Sequence, residues 1–457
     1  MRTDSWAGLA SPAAQAQEPS EWLASVLERH AGCQYLLRHG SPRSVESFRT
    51  DVPLVTYDEL QPWMARIGRG ERDVLFEGRP IAFERTGGST GGAKLIPYSA
   101  SGLVDFRRAI LPWLHDVVRR FDITGSAYFS ISPATRAAES IAGTPVGLPD
   151  GAYLGEAAAA ILSDVTAVPP DVAAITDIDH WRARTLGHLA AARDLELISV
   201  WSPTFLLRLL DDLPDPKSIW PRLKLVSCWA SGASESFAAE LAARLPHAHL
   251  QPKGLLSTEA VVTVPDAQDR PVLSSPGYFE FLQDDRLLLP DELAIGATYE
   301  VVVTTASGLY RYRTGDLVRC NGANARGRPV LAFVGRGDLV CDLVGEKLTE
   351  PFAELCLGGV AGLRLLVPDV GADGYVLVVE SGCDVDVDRV ERALCENPQY
   401  AYARRLGQLK PLRAGHVDRL FDRYCSLQID RGIRIGDVKP VALRKELSWI
   451  SALGLSA

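Results

Sequence analysis

The feature that most restricts how this chain can fold is an alternation of apolar runs and helical patterns between residues 122 and 264. Three short apolar runs have the length and composition of buried strands: 127–131, 197–200 and 223–227. Three helical patterns lie between or after them: 180–193, 203–212 and 234–245. This order predicts α/β layering in which some strands pair in parallel.

The segments before this region are mainly helical. Apolar residues recur at helical spacing over 21–30 and over 99–121. Another helix is expected after Thr56, which is a suitable N-cap because Glu59 follows three residues later. Residues 81–85 are a short strand candidate.

The segments after this region differ again. Residues 272–334 consist of short apolar runs joined by turns, which is typical of an antiparallel sheet or a distorted barrel. Beyond Gly335, two apolar runs flank a hairpin-type turn at 369–374, and helical patterns follow at 384–396 and near 415–425. These patterns indicate a small α+β domain.

The length of 457 residues is enough for two or three domains at roughly 150 residues each. We therefore predict an α/β fold with two domains. A large N-terminal α/β body with a distorted β-barrel portion spans residues 1–336, and a small α+β C-terminal domain spans residues 337–457.

Charge and cysteine content exclude several classes of protein. The 48 Lys and Arg against 57 Asp and Glu give a net charge of −9, and with no basic run this disfavours nucleic acid or an anionic membrane as a partner. No run approaches the roughly 20 apolar residues of a transmembrane helix, and we identify no secretion signal. The eight cysteines form no C-x-x-C pair, which indicates neither a zinc site nor a disulfide framework. We expect a cytoplasmic protein with reduced thiols.

A loop rich in glycine and hydroxyl groups, Thr86–Lys94, is the first candidate site. Glycines let backbone N–H groups approach an anion closely, and the hydroxyls and the Lys94 ammonium add donors, so the loop suits a polyphosphate. We expect it between a strand and a helix, with a flexible hairpin as the alternative. A Walker A loop is excluded, because Leu95 stands where Ser or Thr would bind magnesium. The expected phosphate donors are Ser89, Thr90, Gly91 and Gly92.

Two shorter motifs follow apolar runs in the middle of the chain. Ser231, Gly232 and Ala233 come after a predicted strand and would suit a flat base or the substrate, although a strand–turn–helix junction explains them better when they are taken alone. Thr258 and Glu259 end another run, where a carboxylate suits Mg²⁺ bound to phosphates. The alternative for this pair is a helix N-cap with a first-turn glutamate.

Two further motifs lie near the predicted domain boundary. Asp316 follows a glycine turn between two predicted strands and would accept both hydroxyls of a ribose, with an ordinary turn aspartate as the alternative. Arg336, Gly337 and Asp338 lie where the sequence pattern changes. They form either a hinge or an ordinary linker.

Taken together, four segments resemble the adenylate-forming superfamily of acyl-CoA synthetases, luciferases and nonribosomal adenylation domains. They occur in the order and spacing of that superfamily: 86–94, 257–259, 312–316 and 335–338. The sequence Tyr-Arg-Thr-Gly-Asp reproduces the ribose motif in full, and Thr-Glu resembles the magnesium motif.

Within that superfamily the chain most closely resembles the Gretchen Hagen family of acyl-acid amido synthetases. Four stretches carry this likeness: 38–40 with 52–57, the Pro-Tyr-Ser that follows Ile96, 397–400 with 406–409, and 436–440. The likeness implies a ligase that uses ATP and Mg²⁺ to convert a carboxylic acid into an acyl-adenylate. It also implies that an amine or amino acid then accepts the acyl group.

The resemblance implies a role for each motif. Lys439 would be the catalytic lysine, assisted by Lys94, and Glu259 would bind Mg²⁺. Asp316 and Arg336 would hold the nucleotide. It also implies that adenine lies along residues 231–233, that Thr86 and Thr258 contact the nucleotide, and that a hinge at 336–338 makes the C-terminal domain mobile.

The acid is not identified by these motifs. Four aromatic residues are candidates for the walls of its pocket, with ordinary core packing as the alternative: Phe106, Phe129, Trp201 and Phe205. An acyl-CoA ligase of the phenylacetate type is an alternative function, and it would need a basic patch for the phosphates of coenzyme A. That patch would comprise Arg404, Arg405, Lys410 and Arg413. A non-catalytic carrier with a degenerate nucleotide site is a further alternative.

Overall fold

The computed structural model describes residues 6, 17–86, 94–130, 139–148, 150–369, 371 and 373–455. Its helices, in chain order, are α1 (Pro19–Arg29), α2 (Gln34–Arg38), α3 (Val45–Asp51), α4 (Tyr57–Gly68), α5 (Ala100–Arg120), α6 (Asp150–Leu154), α7 (Glu156–Val165), α8 (Ile178–Ala191), α9 (Pro203–Leu210), α10 (Pro216–Ile219), α11 (Glu235–Arg244), α12 (Glu350–Cys356), α13 (Val387–Leu394), α14 (Pro398–Arg405), α15 (Leu420–Asp430) and α16 (Trp449–Ala452).

The strands, in chain order, are β1 (Ala82–Arg85), β2 (Leu95–Tyr98), β3 (Ser126–Phe129), β4 (Glu139–Ile141), β5 (Thr144–Val146), β6 (Leu195–Ser199), β7 (Leu225–Cys228), β8 (His249–Pro252), β9 (Thr263–Pro265), β10 (Pro271–Leu273), β11 (Tyr278–Gln283), β12 (Arg286–Leu288), β13 (Thr298–Thr304), β14 (Tyr312–Ala323), β15 (Pro329–Arg336), β16 (Val340–Cys341), β17 (Leu348–Thr349), β18 (Leu365–Asp369), β19 (Gly374–Glu380) and β20 (Arg413–Val417).

The predicted parallel pairing is confirmed in the middle of the chain. β3, β6, β7 and β8 form one sheet in that order, and every neighbouring pair is parallel. Helices α8, α9 and α11 lie between these strands in sequence, at the positions predicted from the alternation. The carboxyl ends of the four strands share one edge, which is where open α/β sheets bind ligands.

Residues 263–336 form an antiparallel sheet of seven strands in the order β12-β11-β13-β14-β15-β10-β9. The antiparallel pairing predicted for this region is confirmed. In the described part of the chain no pairing joins the edge strands β12 and β9. The pairing is therefore that of an open sheet, one of the two predicted alternatives, rather than that of a closed barrel.

A buried ion pair attaches the first helices to this sheet. Arg311 Nε donates to Glu280 Oε2 at 2.9 Å, and a second guanidinium, from Arg49, donates to the other oxygen at 3.1 Å. Arg311 Nη1 also donates to the Val52 carbonyl at 2.7 Å. By contrast, the pair of Arg313 with a glutamate of β13 lies at the surface.

The loop at residues 86–94 does not join a strand to a helix, as was predicted. It joins β1 and β2, which pair antiparallel, and α5 begins only after β2. Thr86 N donates to the Lys94 carbonyl at 2.9 Å, and Lys94 N donates to Thr86 Oγ1 at 3.1 Å. The prediction missed β2 because its four residues are too short to show an alternation.

The C-terminal region contains a sheet of three strands. β18 and β19 form the predicted hairpin, and β20 adds to β19 in parallel. The helix predicted near 415–425 is wrong in its start, because residues 413–417 form β20 and α15 begins at Leu420. Gly415 and Val417 are buried at alternate positions, as in a strand, but the alternation covers too few residues to be recognised in the sequence.

The regions before and after residue 336 pack on each other through a shared hydrophobic cluster. It contains buried residues from 128–245 and from 363–453. At the contact, the ring centroids of Phe237 and Phe421 are 6.3 Å apart, and Arg208 Nη2 lies 2.9 Å from Asp422 Oδ1. The division into domains at this residue stays a prediction.

Within the described residues, no helix has the length and apolar character needed to cross a bilayer.

Candidate functional site

The Tyr-Arg-Thr-Gly-Asp motif lies within a single strand, β14, and not at a turn between two strands as predicted. The register against β13 slips between Arg313 and Leu317, so β14 bulges there. Gly315 lies in the bulge with φ +76°, and a Cβ at this position would approach the Asp338 carboxyl carbon to 2.6 Å. Only glycine meets both conditions, and the bulge leads directly into Asp316.

Asp316 is paired with Arg336 across β14 and β15. The Asp316 side chain is almost completely buried, and Arg336 Nη1 donates to its Oδ1 at 3.2 Å. The same guanidinium donates from Nε and Nη2 to both oxygens of Asp338, at 2.8 and 2.7 Å. Burial raises the pKa of Asp316 to about 6, although Arg336 favours its charged form.

Thr258 and Glu259 lie at the tip of a tight turn. Ser257 N donates to the Ala260 carbonyl at 3.0 Å, and the residues on either side of the turn form a short antiparallel bridge. Tyr98 Oη of β2 donates to the Thr258 carbonyl at 2.5 Å and fixes the turn against the first hairpin. The helix N-cap considered as the alternative reading of this pair is therefore wrong.

The Tyr312 hydroxyl is buried and has no hydrogen-bond partner within the described part of the chain. Burial raises its pKa, and the charges of Glu259, Asp338 and Asp316 raise it further, while Arg336 opposes them. Buried hydroxyls normally have a partner. An unpaired one among three carboxylates and a guanidinium fits a site that receives a polar ligand.

Lys439 reaches this cluster from the C-terminal region. Its neighbours Val438 and Pro440 are buried, and its carbonyl accepts a hydrogen bond from Tyr424 Oη at 2.7 Å. Lys439 Nζ lies 4.6 Å from the centroid of the Trp229 indole. The protein atoms that surround the ammonium lower its pKa even though the side chain keeps contact with solvent, and the nearby carboxylate of Asp316 partly restores it.

The segment before Lys439 lies against the N-terminal hairpin region. A Cβ at Gly147 would come within 2.9 Å of Arg434 Nη2, so the arginine packs directly on that glycine. The neighbouring Glu84 accepts a hydrogen bond from Leu148 N at 2.7 Å. Burial raises the pKa of Glu84, and the charge of Arg434 opposes that rise. No sequence motif marks this contact.

Lys94 is the described end of the phosphate-type loop. Its Nζ lies 5.6 Å from the centroid of the Tyr57 ring. Burial disfavours the charged form of Asp338, but Arg336 and Lys94 outweigh it and lower the pKa of this carboxyl. Lys94 therefore faces the same charged cluster. Four predicted donors lie outside the described residues: Ser89, Thr90, Gly91 and Gly92.

Ser231 precedes a short 3₁₀ turn, Gly232–Ser234, between β7 and α11, as expected for a strand–turn–helix junction. Gly232 has φ +57°, and a Cβ there would lie 3.7 Å from the Phe333 ring on β15. Ala233 belongs to the same turn. The junction thus lies next to the strand that carries Arg336.

The four aromatic pocket candidates are distributed over different surroundings. Phe106 lines a small cavity of about 60 Å³ together with Thr258 and Glu259. Trp201 packs beside Trp229, with ring centroids 6.1 Å apart. Phe129 is the last residue of β3. Phe205 lies in the core against Trp181.

Two family models match this chain. The model of the GH3 family N-terminal domain matches residues 8–216, and that of the GH3 family central domain matches residues 271–336. Indole-3-acetic acid-amido synthetase GH3.8 of Oryza sativa subsp. indica is 24% identical over 412 residues, which covers 72% of this chain and 67% of that protein.

Two solved structures share the fold. AtGH3.15 acyl acid amido synthetase in complex with 2,4-DB superposes with a TM-score of 0.81 at 20% identity, over 95% of this chain and 92% of that one. A 2-hydroxyisobutyryl-CoA ligase in the postadenylation state superposes with a TM-score of 0.58 at 16% identity, over 97% and 95% of the two chains.

Proposed function

The chain belongs to the GH3 family, and we propose that it is an acyl-acid amido synthetase: it adenylates a carboxylic acid and conjugates the acyl group to an amino acid, with consumption of ATP. The observation that carries this proposal is the convergence of charged side chains from segments far apart in sequence. Glu259, Asp316, Arg336 and Lys439 all lie within electrostatic reach of one another. Such a cluster suits a substrate that combines a ribose with phosphates.

The residues present fit a nucleotide. The unpaired buried hydroxyl of Tyr312 offers a donor, and Asp316 with Arg336 offers the acceptor and donors that a ribose needs. Glu259 would hold Mg²⁺, which neutralises phosphate charge when it is bound. In the described ranges no group of three or more His, Cys, Asp or Glu could hold a metal ion, but Mg²⁺ on phosphates requires only one or two carboxylates.

A carboxylate is a poor electrophile, because its leaving group would be oxide. Adenylation replaces that leaving group by AMP, and the protein contributes position and charge to this step. We assign Lys439 and Lys94 to the negative charge of the reacting phosphates and Asp316 to the ribose. We assign Trp201 and Phe106 to the acyl pocket because they lie beside this cluster.

We also propose that residues 337–457 form a small domain that changes its pose between adenylation and amide formation. Arg336, Gly337 and Asp338 would be the hinge, since β15 ends at Arg336. Lys439 belongs to this domain and would take part in adenylation only in the pose described above.

The surface of this domain favours an amino acid over coenzyme A as acceptor. Two of the four basic residues that would bind the phosphates of coenzyme A are already paired with carboxylates: Arg404 with Glu391 and Arg413 with Asp369. A basic patch in which charges are neutralised in this way is a poor site for phosphates.

We infer a cytoplasmic location from the cysteines, all eight of which are free thiols.

The experiment is pyrophosphate exchange with a panel of aromatic, aliphatic and amino acids, followed by mass spectrometry of products formed with amino acids or with coenzyme A. We expect exchange with at least one acid and an amide as product. Asp316→Ala should abolish exchange, whereas Asp388→Ala, an exposed matched control on α13, should not. A thioester as the only product would establish the CoA ligase instead, and exchange with no acid would contradict adenylation.

A further inference from the structure

A lysine enclosed near the cluster has no role in the chemistry described above. Lys253 follows β8 at the carboxyl edge of the parallel sheet, and its Nζ donates to Ser199 Oγ at 2.8 Å. Two indoles enclose the ammonium, with Nζ 5.1 Å from the Trp113 centroid and 5.0 Å from the Trp201 centroid. The lysine therefore occupies an aromatic cage with one hydroxyl.

No carboxylate of the described residues forms an ion pair with Lys253. Enclosure lowers its pKa to about 8, and the one titratable group that opposes this shift is the Cys228 thiol. Asp269 is linked to the cage through Gln251, which accepts from the Trp113 indole at 3.0 Å and donates to Asp269 at 2.7 Å, and Asp269 also accepts from Arg120 at 2.9 Å. A desolvated ammonium with no anionic partner is costly, and two indole faces offset only part of that cost.

The position of the cage relates it to the reacting end of the substrate. Lys439 Nζ lies over the Trp229 indole, and Lys253 Nζ lies over the Trp201 indole. The two indoles are neighbours, tilted by 36°. The two ammonium groups thus lie over two neighbouring indoles, with Lys439 over the one beside which we place adenylation.

We propose that Lys253 and Ser199 bind a second oxygen of the acid substrate, at the end opposite to the carboxylate that is adenylated. The preferred acids would be flat molecules that carry a distal carboxylate or phenol oxygen. This inference rests on the proposed function, because it assumes that the substrate is a carboxylic acid. It adds a specificity-determining residue and a class of acid to that function.

The test is direct binding of matched acids, measured by calorimetry without ATP. The probes are 4-carboxyphenylacetate against phenylacetate, and 4-hydroxycinnamate against cinnamate. We expect the wild-type protein to bind the probe with the extra oxygen at least about tenfold more tightly, as a charge-assisted hydrogen bond provides. Lys253→Met should remove this preference and leave the affinity for phenylacetate unchanged, while Lys217→Met, an exposed control on α10, should keep the preference.

Thermal unfolding distinguishes a ligand-binding lysine from a structural one. Lys253→Met removes a desolvated charge and keeps an unbranched apolar side chain, so the melting temperature should stay the same or rise. A lower melting temperature with equal loss of affinity for both members of each pair would show a structural role and overturn the proposal. Equal wild-type affinities, or no binding of either oxygen-bearing probe, would also overturn it.

Pyrophosphate exchange separates this inference from the proposed function. If phenylacetate or cinnamate supports exchange but the distal oxygen gives no preference, the role of Lys253 is refuted and adenylation stands. If the binding preference is found but no acid supports exchange, adenylation is refuted and the anion site stands.

Discussion

Replacing Asp316 by asparagine should stabilise the fold while it impairs adenylation. Burial raises the pKa of Asp316 from 3.8 to about 6, and this difference corresponds to a cost of about 3 kcal/mol for the charged carboxylate in the folded state. Asparagine has nearly the same shape and carries no charge. Arg336 keeps its two bonds to Asp338, so the substitution leaves no unpaired guanidinium.

The pH dependence follows from the sign of this shift. The folded-state pKa is raised, so below about pH 3 the carboxyl is mostly protonated in both states and carries little penalty. As the pH rises from about 3 to above 6, the wild-type protein loses stability relative to Asp316→Asn. The difference in melting temperature should therefore be smallest near pH 3 and largest at pH 7.

Pyrophosphate exchange measures the other half of the prediction. An amide offers one acceptor oxygen where the carboxylate offers two, so kcat/KM for ATP should fall by roughly 100-fold or more. Asp388→Asn is the matched control and should change neither quantity. A melting temperature that does not rise at pH 7 would refute the desolvation argument, and near wild-type exchange would refute the ribose assignment.

Three further substitutions test other parts of the molecule. Lys439→Ala should lower the rate of pyrophosphate exchange by about 100-fold at an unchanged melting temperature. Lys410→Ala, the control, should change neither quantity. The reverse result would transfer the catalytic role to Lys410. Glu259→Gln should raise the Mg²⁺ concentration for half-maximal exchange at least about tenfold, and an unchanged Mg²⁺ titration would exclude Glu259 as the ligand. Arg311→Met should lower the free energy of unfolding in urea by about 3 kcal/mol, because the buried Glu280 carboxylate keeps only Arg49 as a partner and the Val52 carbonyl loses its donor. Arg313→Met at a surface pair should cost less than about 1 kcal/mol, and equal losses would contradict the role of burial.

The parallel sheet was predictable because its strands and crossover helices differ in period and length, which a local pattern reveals. The motif at Asp316 was recognised, but its position in a bulge was not. A glycine after polar residues has the same sequence signature in a hairpin turn and in a bulge, and only the pairing of β13 with β14 distinguishes them. Short strands such as β2 and β20 were missed because they contain too few residues to show the alternation of buried and exposed positions that marks a strand.

The long-range contacts of the site were not predictable from one sequence. Lys253 has no motif of its own, and the residues that enclose it, Trp113 and Trp201, are 140 and 52 positions earlier in the chain. The contact of Arg434 with Gly147 and the unpaired hydroxyl of Tyr312 likewise depend on segments that meet only in the folded chain. Packing between distant elements creates these features, and no local pattern records it.

The contact of Phe421 with Phe237 lies outside the charged cluster, yet it bears on the balance between the two half-reactions. If the C-terminal region must rotate for amide formation, that rotation has to break this contact and the neighbouring pair of Arg208 with Asp422. Their strength then sets the share of resting molecules that are ready to adenylate. A substitution at Phe421 would shift the ratio of pyrophosphate exchange to overall amide synthesis without touching a reacting atom.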